Sequence, residues 1–417
     1  MQDSSYRNGR RVVVTGTGLI TSVGHSVEYA WNAILDGQSG LGEFTIIEKG
    51  DLSSTAVCEV KDFDPTVYLS KRDTRRRDRY QHFASVAGME AMKESGLEIT
   101  DQNRERIGIY IGTGVGGIRT LVKSEHIRMD RGSRRINPFS IAMIMPNGAA
   151  GLLSIDYGIQ GPSNTIATAC AAGNDAVGHA YKAIRFGELN AALTGGSESI
   201  ITAVSVAGFE KTGATSSRST NAPSPFDLNR DGLIAGEGAG MLVLEELEFA
   251  RKRGAVILGE IAGYGQTTDA FHITAPSEGG SGAARAMKIA LADANLNGDE
   301  VDYISAHGTG TVLNDANETQ AIKTVLGNHA YDIGVSSTKS MTGHMMGATG
   351  AVESVFCVQA IRDQVLPPTI NYETPDPVCD LDYVPNSARS AEVKVTMNNA
   401  FGFGGHNGVL VIKKFTG

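Results

Sequence analysis

Four patterns in the first part of this 417-residue chain return in the same order in the second, and that doubling constrains the fold more than any single motif. A β-branched run ending in glycines, RRVVVTGTGLIT (10–21), has a partner in VILGEIAGYGQTTD (256–269). RIGIYIGTGVGG (106–117) is matched by VDYISAHGTGT (301–311), each an apolar strand that stops at a Gly-Thr-Gly turn. SNTIATACAAGNDAVGHAYKAI (163–184) is matched by IGVSSTKSMTGHMMGATGAVESVFCVQAI (333–361), where a strand runs into small residues and a helical apolar pattern follows. GEGAGMLVLEELE (236–248) and GGHNGVLVIKKF (404–415) are both glycine turns followed by an alternating strand. Strands alternating with helices predict an α/β protein with buried, mostly parallel sheets. Two halves with one order of elements predict a pseudo-symmetric pair of sheets, divided into 1–255 and 256–417, with ligands near the strand ends where the halves meet.

The 51 glycines and the 41% of hydrophobic residues are spread without a low-complexity linker, which fits one compact unit or two closely joined halves. The apolar runs are short and broken by glycine, and the N-terminal MQDSSYRNGRR lacks the apolar core of a secretory signal. A soluble, cytoplasmic protein with no membrane partner is expected. Cysteines stand at 58, 170, 357 and 379 with no CxxC pair, so reduced thiols are expected rather than a disulfide framework or a zinc ribbon. The net charge of −9 argues against a nucleic-acid partner, but the charge is uneven. KRDTRRRDR (71–79) sets six basic residues against two aspartates, and RMDRGSRR (128–135) is a second basic cluster. Two readings stand for them: a solvated or subunit-contact helix, or a docking patch for an acidic partner.

Three reactive side chains fall at turns after strands: Cys170, His307 in SAHGTGT and His344 in STKSMTGHMMGATG. A lone buried cysteine is ordinarily inert, and a lone histidine is ordinarily structural. Here two histidines sit in glycine-rich turns at equivalent strand ends, where the absence of a Cβ lets a ligand approach closely. Cys170 is expected at the first turn of the helix AAGNDAVGHAYKAI, where unpaired N–H groups and the helix dipole favour a thiolate without an Asp/His relay. A strand-to-helix turn also holds a nucleophile outward. Three rival readings are weaker. IGTGVGG satisfies GxGxxG, yet no strand-terminal acid follows at the distance a dinucleotide site requires. No HExxH or CxxC motif supports zinc, and the signature of a papain-like cysteine is absent. Neither a metal nor a cofactor is expected.

With TACAAG around Cys170, AHGTGT around His307, SSTKSMTGHMMGATGA around Lys339 and His344, and NNAFGFGGHNG near the end, the chain resembles the β-ketoacyl-acyl-carrier-protein synthase family of the thiolase superfamily, particularly its type II enzymes. PSPFDLNRDGLIAGEGAGMLVLE and LPPTINYETPDPVCDLDYVP extend the resemblance over essentially the whole chain. It implies a thiolase-like fold, two similar α/β halves in a five-layered α-β-α-β-α sandwich, usually a homodimer. It implies decarboxylative Claisen condensation, with acyl-acyl carrier protein and malonyl-acyl carrier protein as partners, in fatty-acid biosynthesis.

By the same resemblance Cys170 is the nucleophile, and the N–H groups of Cys170 and Phe401 form the oxyanion hole. His307 and His344 promote decarboxylation and stabilise the enolate, and Lys339 tunes that pair. Thr309 and Thr311 contact the pantetheine arm, Phe401 gates the acyl pocket and Val115 lines the acyl tunnel. Glu318 is a buried acid near the site and Asp315 a structural one, while Arg72, Arg75, Arg76, Arg134 and Arg135 receive the acidic carrier. His406 stands where threonine is common and is not read as catalytic. Two alternatives remain: a polyketide-type ketosynthase of the same mechanism, and a non-catalytic partner subunit shaping a heterodimer. Cys170 argues against the second of these, and His344 against the initiating type III synthases, which pair cysteine with one histidine and an asparagine.

Overall fold

The computed structural model describes residues 9–417; the first eight residues of MQDSSYRNGRR lie outside that range. The first half supplies β1 (Val12–Ile20), β2 (Ile107–Gly112), β3 (Ser163–Ile166), β4 (Ala191–Ser199) and β5 (Glu237–Glu246). The second supplies β6 (Gly259–Thr268), β7 (Tyr303–Ser305), β8 (Gly334–Ser336), a separate ribbon of β9 (Val365–Leu366) and β10 (Arg389–Ser390), then β11 (Val395–Gly402) and β12 (His406–Lys413). The strand order is β3-β2-β4-β5-β1 followed by β6-β12-β11-β7-β8. Read outward from the middle, the two five-strand sets have the same sequence of equivalent strands. They meet only where β1 pairs with β6 over three residues, Val12–Val14 against Gly259–Ile261.

The sheets are mixed rather than mostly parallel. In each half two neighbouring pairs are parallel, within β3-β2-β4 and β8-β7-β11, and two are antiparallel, within β4-β5-β1 and β11-β12-β6. The reason is plainest at β11 and β12. Only residues 403–405 join them, and a parallel crossover needs a dozen or more residues.

Between the sheets lie two helices, Ala172–Arg185 and Thr349–Asp363, each touching strands of both halves. They are buried nearly all round, with every residue from Thr349 to Ile361 inside, as a helix without a polar face must be. They cross on small residues, since a Cβ on Gly173 would stand 2.6 Å from the Ala351 nitrogen. Outside the sheets, helix Arg79–Ser95 covers β1, β4 and β5, and helix Ser281–Ala294 covers β6 and β12. Five layers result, helix-sheet-helix-sheet-helix. The middle layer matters most for function, because each central helix begins where a β3-like strand ends.

Candidate active site

At the end of β3 the chain passes through Thr168 and a single helical turn, Ala169–Ala171, into helix Ala172–Arg185. Cys170 occupies that turn. At the equivalent place in the second half, β8 leads through a short helix, Lys339–Thr342, and His344 to helix Thr349–Asp363. The neighbouring strand β7 leads to His307. The pseudo-symmetry therefore delivers the three side chains to one cavity of about 290 Å³, which Cys170, His307, His344, Thr309, Thr311, Phe401 and Phe403 all line.

The imidazoles of His307 and His344 stand 5.4 Å apart, nearly perpendicular, and both are buried. Nδ1 of His344 meets the Thr349 hydroxyl at 3.1 Å; a hydroxyl that donates there leaves the ring proton on Nε2. Burial, the Lys339 charge and, for His307, its histidine neighbour hold both rings well below their ordinary pKa of 6.5, so both are neutral at physiological pH. Lys339 lines no part of the cavity. Its Nζ pairs with Glu353 Oε1 at 2.7 Å, both side chains fully buried, and burial pushes the Glu353 carboxyl up to about 7. Glu318 also stands behind the cavity and holds the His307 turn, accepting the N–H groups of His307 and Gly308 at 2.8 Å each. Asp315 accepts the N–H of Phe226 at 2.8 Å and lies 3.7 Å from Arg230.

Two expectations need revision. Burial pushes the Cys170 thiol up to about 11, against the pull of Lys339 and of nearby N–H groups, so desolvation outweighs the activation expected from the helix dipole. The resting group is a thiol. The backbone N–H groups facing it belong to Cys170 itself and to Phe403, not Phe401. Phe401 packs its ring on His307, 5.6 Å between centroids. Val115 is 43% exposed and does not line the cavity; its N–H goes to the buried Glu198 carboxylate, which also accepts from Thr113, Gly114 and Gly347. Two contacts went unread in the sequence: Phe403, and Met346, whose sulfur lies 4.0 Å from Cys170 Sγ. The alignment of the Met346 turn with the Cys170 turn in the internal repeat is the signal that could have found the second.

The segment just after the second basic cluster packs against the first. Asn137 donates to the Arg75 carbonyl at 3.1 Å, and the Arg76 guanidinium lies 4.4 Å from the centre of the Phe139 ring. Arg72, Arg75, Arg134 and Arg135 are exposed. Arg77 and Arg79, from the same run, instead turn inward to Asp156 and Glu237.

A cysteine and two neutral histidines converging at the seam of a doubled, five-layered α/β fold define a thiolase-like condensing site. The Beta-ketoacyl synthase N-terminal domain matches residues 9–250 and the corresponding C-terminal domain residues 258–373, and the chain belongs to the β-ketoacyl synthase family. It is 48% identical to "3-oxoacyl-[acyl-carrier-protein] synthase 2" of Synechocystis sp. over 97% of this chain and 98% of that one. The Staphylococcus aureus (strain N315) protein of the same name is 45% identical over 97% of this chain and 99% of its own. Among solved structures, the ishigamide ketosynthase/chain length factor superposes with a TM-score of 0.92 at 36% identity, covering 98% of this chain and all of that one. The type II polyketide synthase complex AntDE:AntF, an acyl-carrier protein with its ketosynthase, gives 0.90 at 37% identity, again over 98% of this chain and all of the other. No helix among the described residues is long and apolar enough to cross a membrane.

Proposed function

We propose that this chain extends an acyl group on acyl carrier protein by two carbons taken from malonyl-acyl carrier protein, in fatty-acid biosynthesis. The observation that carries this is the convergence of Cys170 with the two neutral imidazoles of His307 and His344 in one cavity. Cys170 Sγ attacks the acyl thioester; the C–S bond to the carrier breaks, and the thiol proton ends on the departing carrier thiol. The N–H groups of Cys170 and Phe403 receive the negative oxygen of the tetrahedral intermediate. Malonyl carrier then loses CO2, and the electrons of the broken C–C bond form an enolate. Its oxygen accepts hydrogen bonds from the two imidazoles. Neutral rings serve better than charged ones here, because they donate without surrendering a proton to the carbanion. The carbanion attacks the acyl-cysteine carbonyl and Cys170 leaves as thiolate, which then takes a proton from water to restore the thiol. Lys339 acts at a distance by keeping both imidazoles neutral, and Thr309 and Thr311, their hydroxyls 2.9 Å apart on the cavity wall, offer hydrogen bonds to the carrier's arm.

The exposed arginines 72, 75, 134 and 135, with Arg76 beside them, form the docking surface for the acidic carrier. Arg134→Glu with Arg135→Glu is expected to raise the KM for carrier substrate by about tenfold, more at low salt, with kcat nearly unchanged. Steady-state kinetics at two ionic strengths measure this, and an unchanged KM removes the patch from the interface. Phe401 and Phe403, both on the cavity wall, gate the acyl pocket in this reading, and the four buried, unpaired thiols suit a reducing cytoplasm. The functional halves are 1–255 and 256–417, the first eight residues lying outside the described range.

A homodimer fits the sheet edges. The β8 edge is covered, Val335 donating to the Asp382 carbonyl at 2.8 Å, whereas β3, at the opposite end of the strand order, pairs with β2 alone. Apolar side chains including Leu121, Met129, Ile141 and Ile155 stand exposed in the same half. A bare edge with apolar flanks is what a two-fold partner strand covers. Sedimentation equilibrium at micromolar concentration is expected to return twice the chain mass, and Asn164→Pro in β3 a smaller species; a wild-type monomer contradicts the assignment. A polyketide-type ketosynthase is the second reading, favoured by the structural likeness to polyketide enzymes. The higher identity to the 3-oxoacyl synthases favours the first.

A further inference from the structure

We propose that Asp175, clamped by Tyr264 from the other half of the chain, is a positioning residue that holds the Thr168–Cys170 turn in the conformation from which the thiol attacks. The inference rests on Cys170 being the nucleophile, as read above.

The turn needs such a hold. Ala169, immediately before the cysteine, has φ +51°, a left-handed conformation that costs an alanine energy and persists only where its surroundings impose it. The residue before it, Thr168, is fixed by its side chain, whose hydroxyl donates to Asp175 Oδ2. Asp175 sits fully buried in the first turn of helix Ala172–Arg185, and its other oxygen accepts the Tyr264 hydroxyl at 2.6 Å. Tyr264 lies on β6, in the second half, and is itself buried. The Lys182 ammonium stands 4.6 Å from the centre of its ring.

Two glycines make room for this clamp. A Cβ on Gly178 would stand 2.4 Å from the Tyr264 ring, and one on Gly408 would stand 2.6 Å from Asp175 Oδ1. The ring therefore lies against one face of the nucleophile's helix while the carboxylate faces β12. Both contacts bridge the halves, so the clamp ties the cysteine turn of the first half to the sheet of the second, which also carries the histidines. Neither Asp175 nor Tyr264 lines the reaction cavity. Their effect passes through Thr168 and Ala169 to the direction of Sγ and of the Cys170 N–H.

The test is single-turnover acylation of the full chain by an acyl-acyl carrier protein, followed by intact mass, with carrier concentration varied and the melting temperature recorded. Thr168→Val removes the donated proton with little change of shape at a half-buried position. It is expected to slow acylation by roughly ten- to a hundredfold, the scale of a misaimed reacting group, at an unchanged half-saturating carrier concentration. Tyr264→Phe is expected to slow it in the same sense, and Thr168→Ser to restore the wild-type rate. Wild-type rates in both Thr168→Val and Tyr264→Phe overturn the proposal. So does a loss in Thr168→Val that Thr168→Ser does not rescue, or one that tracks a fall in melting temperature. Iodoacetamide is the control: a wild type that it alkylates at Cys170 but that takes no acyl group overturns the nucleophile reading itself, and the positioning role with it.

Discussion

Cys170→Ala is expected to abolish condensation, with a loss on the order of 10⁴-fold or more, because the covalent route has no substitute in this cavity. The thiol is the only group there able to form an acyl thioester. Burial holds it near pKa 11, so it is protonated at rest, and attack is expected only once a thioester sits over the N–H groups of Cys170 and Phe403. Removing a side chain that is already neutral and 8% exposed costs the fold little. The variant is expected to keep its melting temperature and to go on releasing CO2 from malonyl carrier, since the histidine pair is untouched. Product chromatography and CO2 release, run side by side, separate the two half-reactions. Loss of both together, in a folded variant, contradicts the division of labour.

His307→Ala and His344→Ala carry the second large effect. Each removes one donor to the enolate, and the loss of one such donor typically costs about 10²–10³ in kcat. Both variants are expected to form the acyl-enzyme and then stall, which rapid-quench acylation followed by malonyl addition resolves. The pH dependence follows from the depressed pKa values of both rings. Above about 6.5 the folded and unfolded chains both hold neutral imidazoles, so the pair contributes nothing to stability there. Below it the unfolded chain takes up protons that the folded one refuses, so stability falls as pH falls through the weakly acidic range. Decarboxylation is expected to show no histidine inflection near neutrality. Lys339→Ala removes a cation that depresses both rings and moves the acid limb of the decarboxylation profile toward neutral pH. The same change leaves Glu353 buried without its partner, at a cost of about 3–5 kcal/mol when such a pair is broken.

The doubling was legible because it rests on local patterns. β1 with β6, β2 with β7, β3 with β8 and β5 with β12 are each a strand next to a turn or run of small residues, and the order of these pairs is the same in both halves. Cys170, His307 and His344 were legible for the same reason, as equivalent strand ends reach one seam. What escaped depends on packing between segments distant in sequence. The fate of a thiol at a helix start turns on how deeply the other half covers it, which no neighbouring residue encodes. Phe401 and Phe403 differ by two positions across the end of β11, where strand alternation stops guiding which N–H faces the cysteine. Arg77 and Arg79 read as part of a basic face, yet their partners Asp156 and Glu237 come from 79 and 158 residues away.

In the proposed reaction this chain carries an acyl group on Cys170 and passes it to a decarboxylated malonyl unit. Intact mass spectrometry of the wild type after incubation with a ladder of acyl carrier proteins, then with malonyl carrier, tests it most directly. One acyl adduct mapping to Cys170 is expected, cleared by malonyl carrier as a β-ketoacyl carrier two carbons longer appears. An adduct on another residue, or an acyl-Cys170 that malonyl carrier leaves in place, would contradict it.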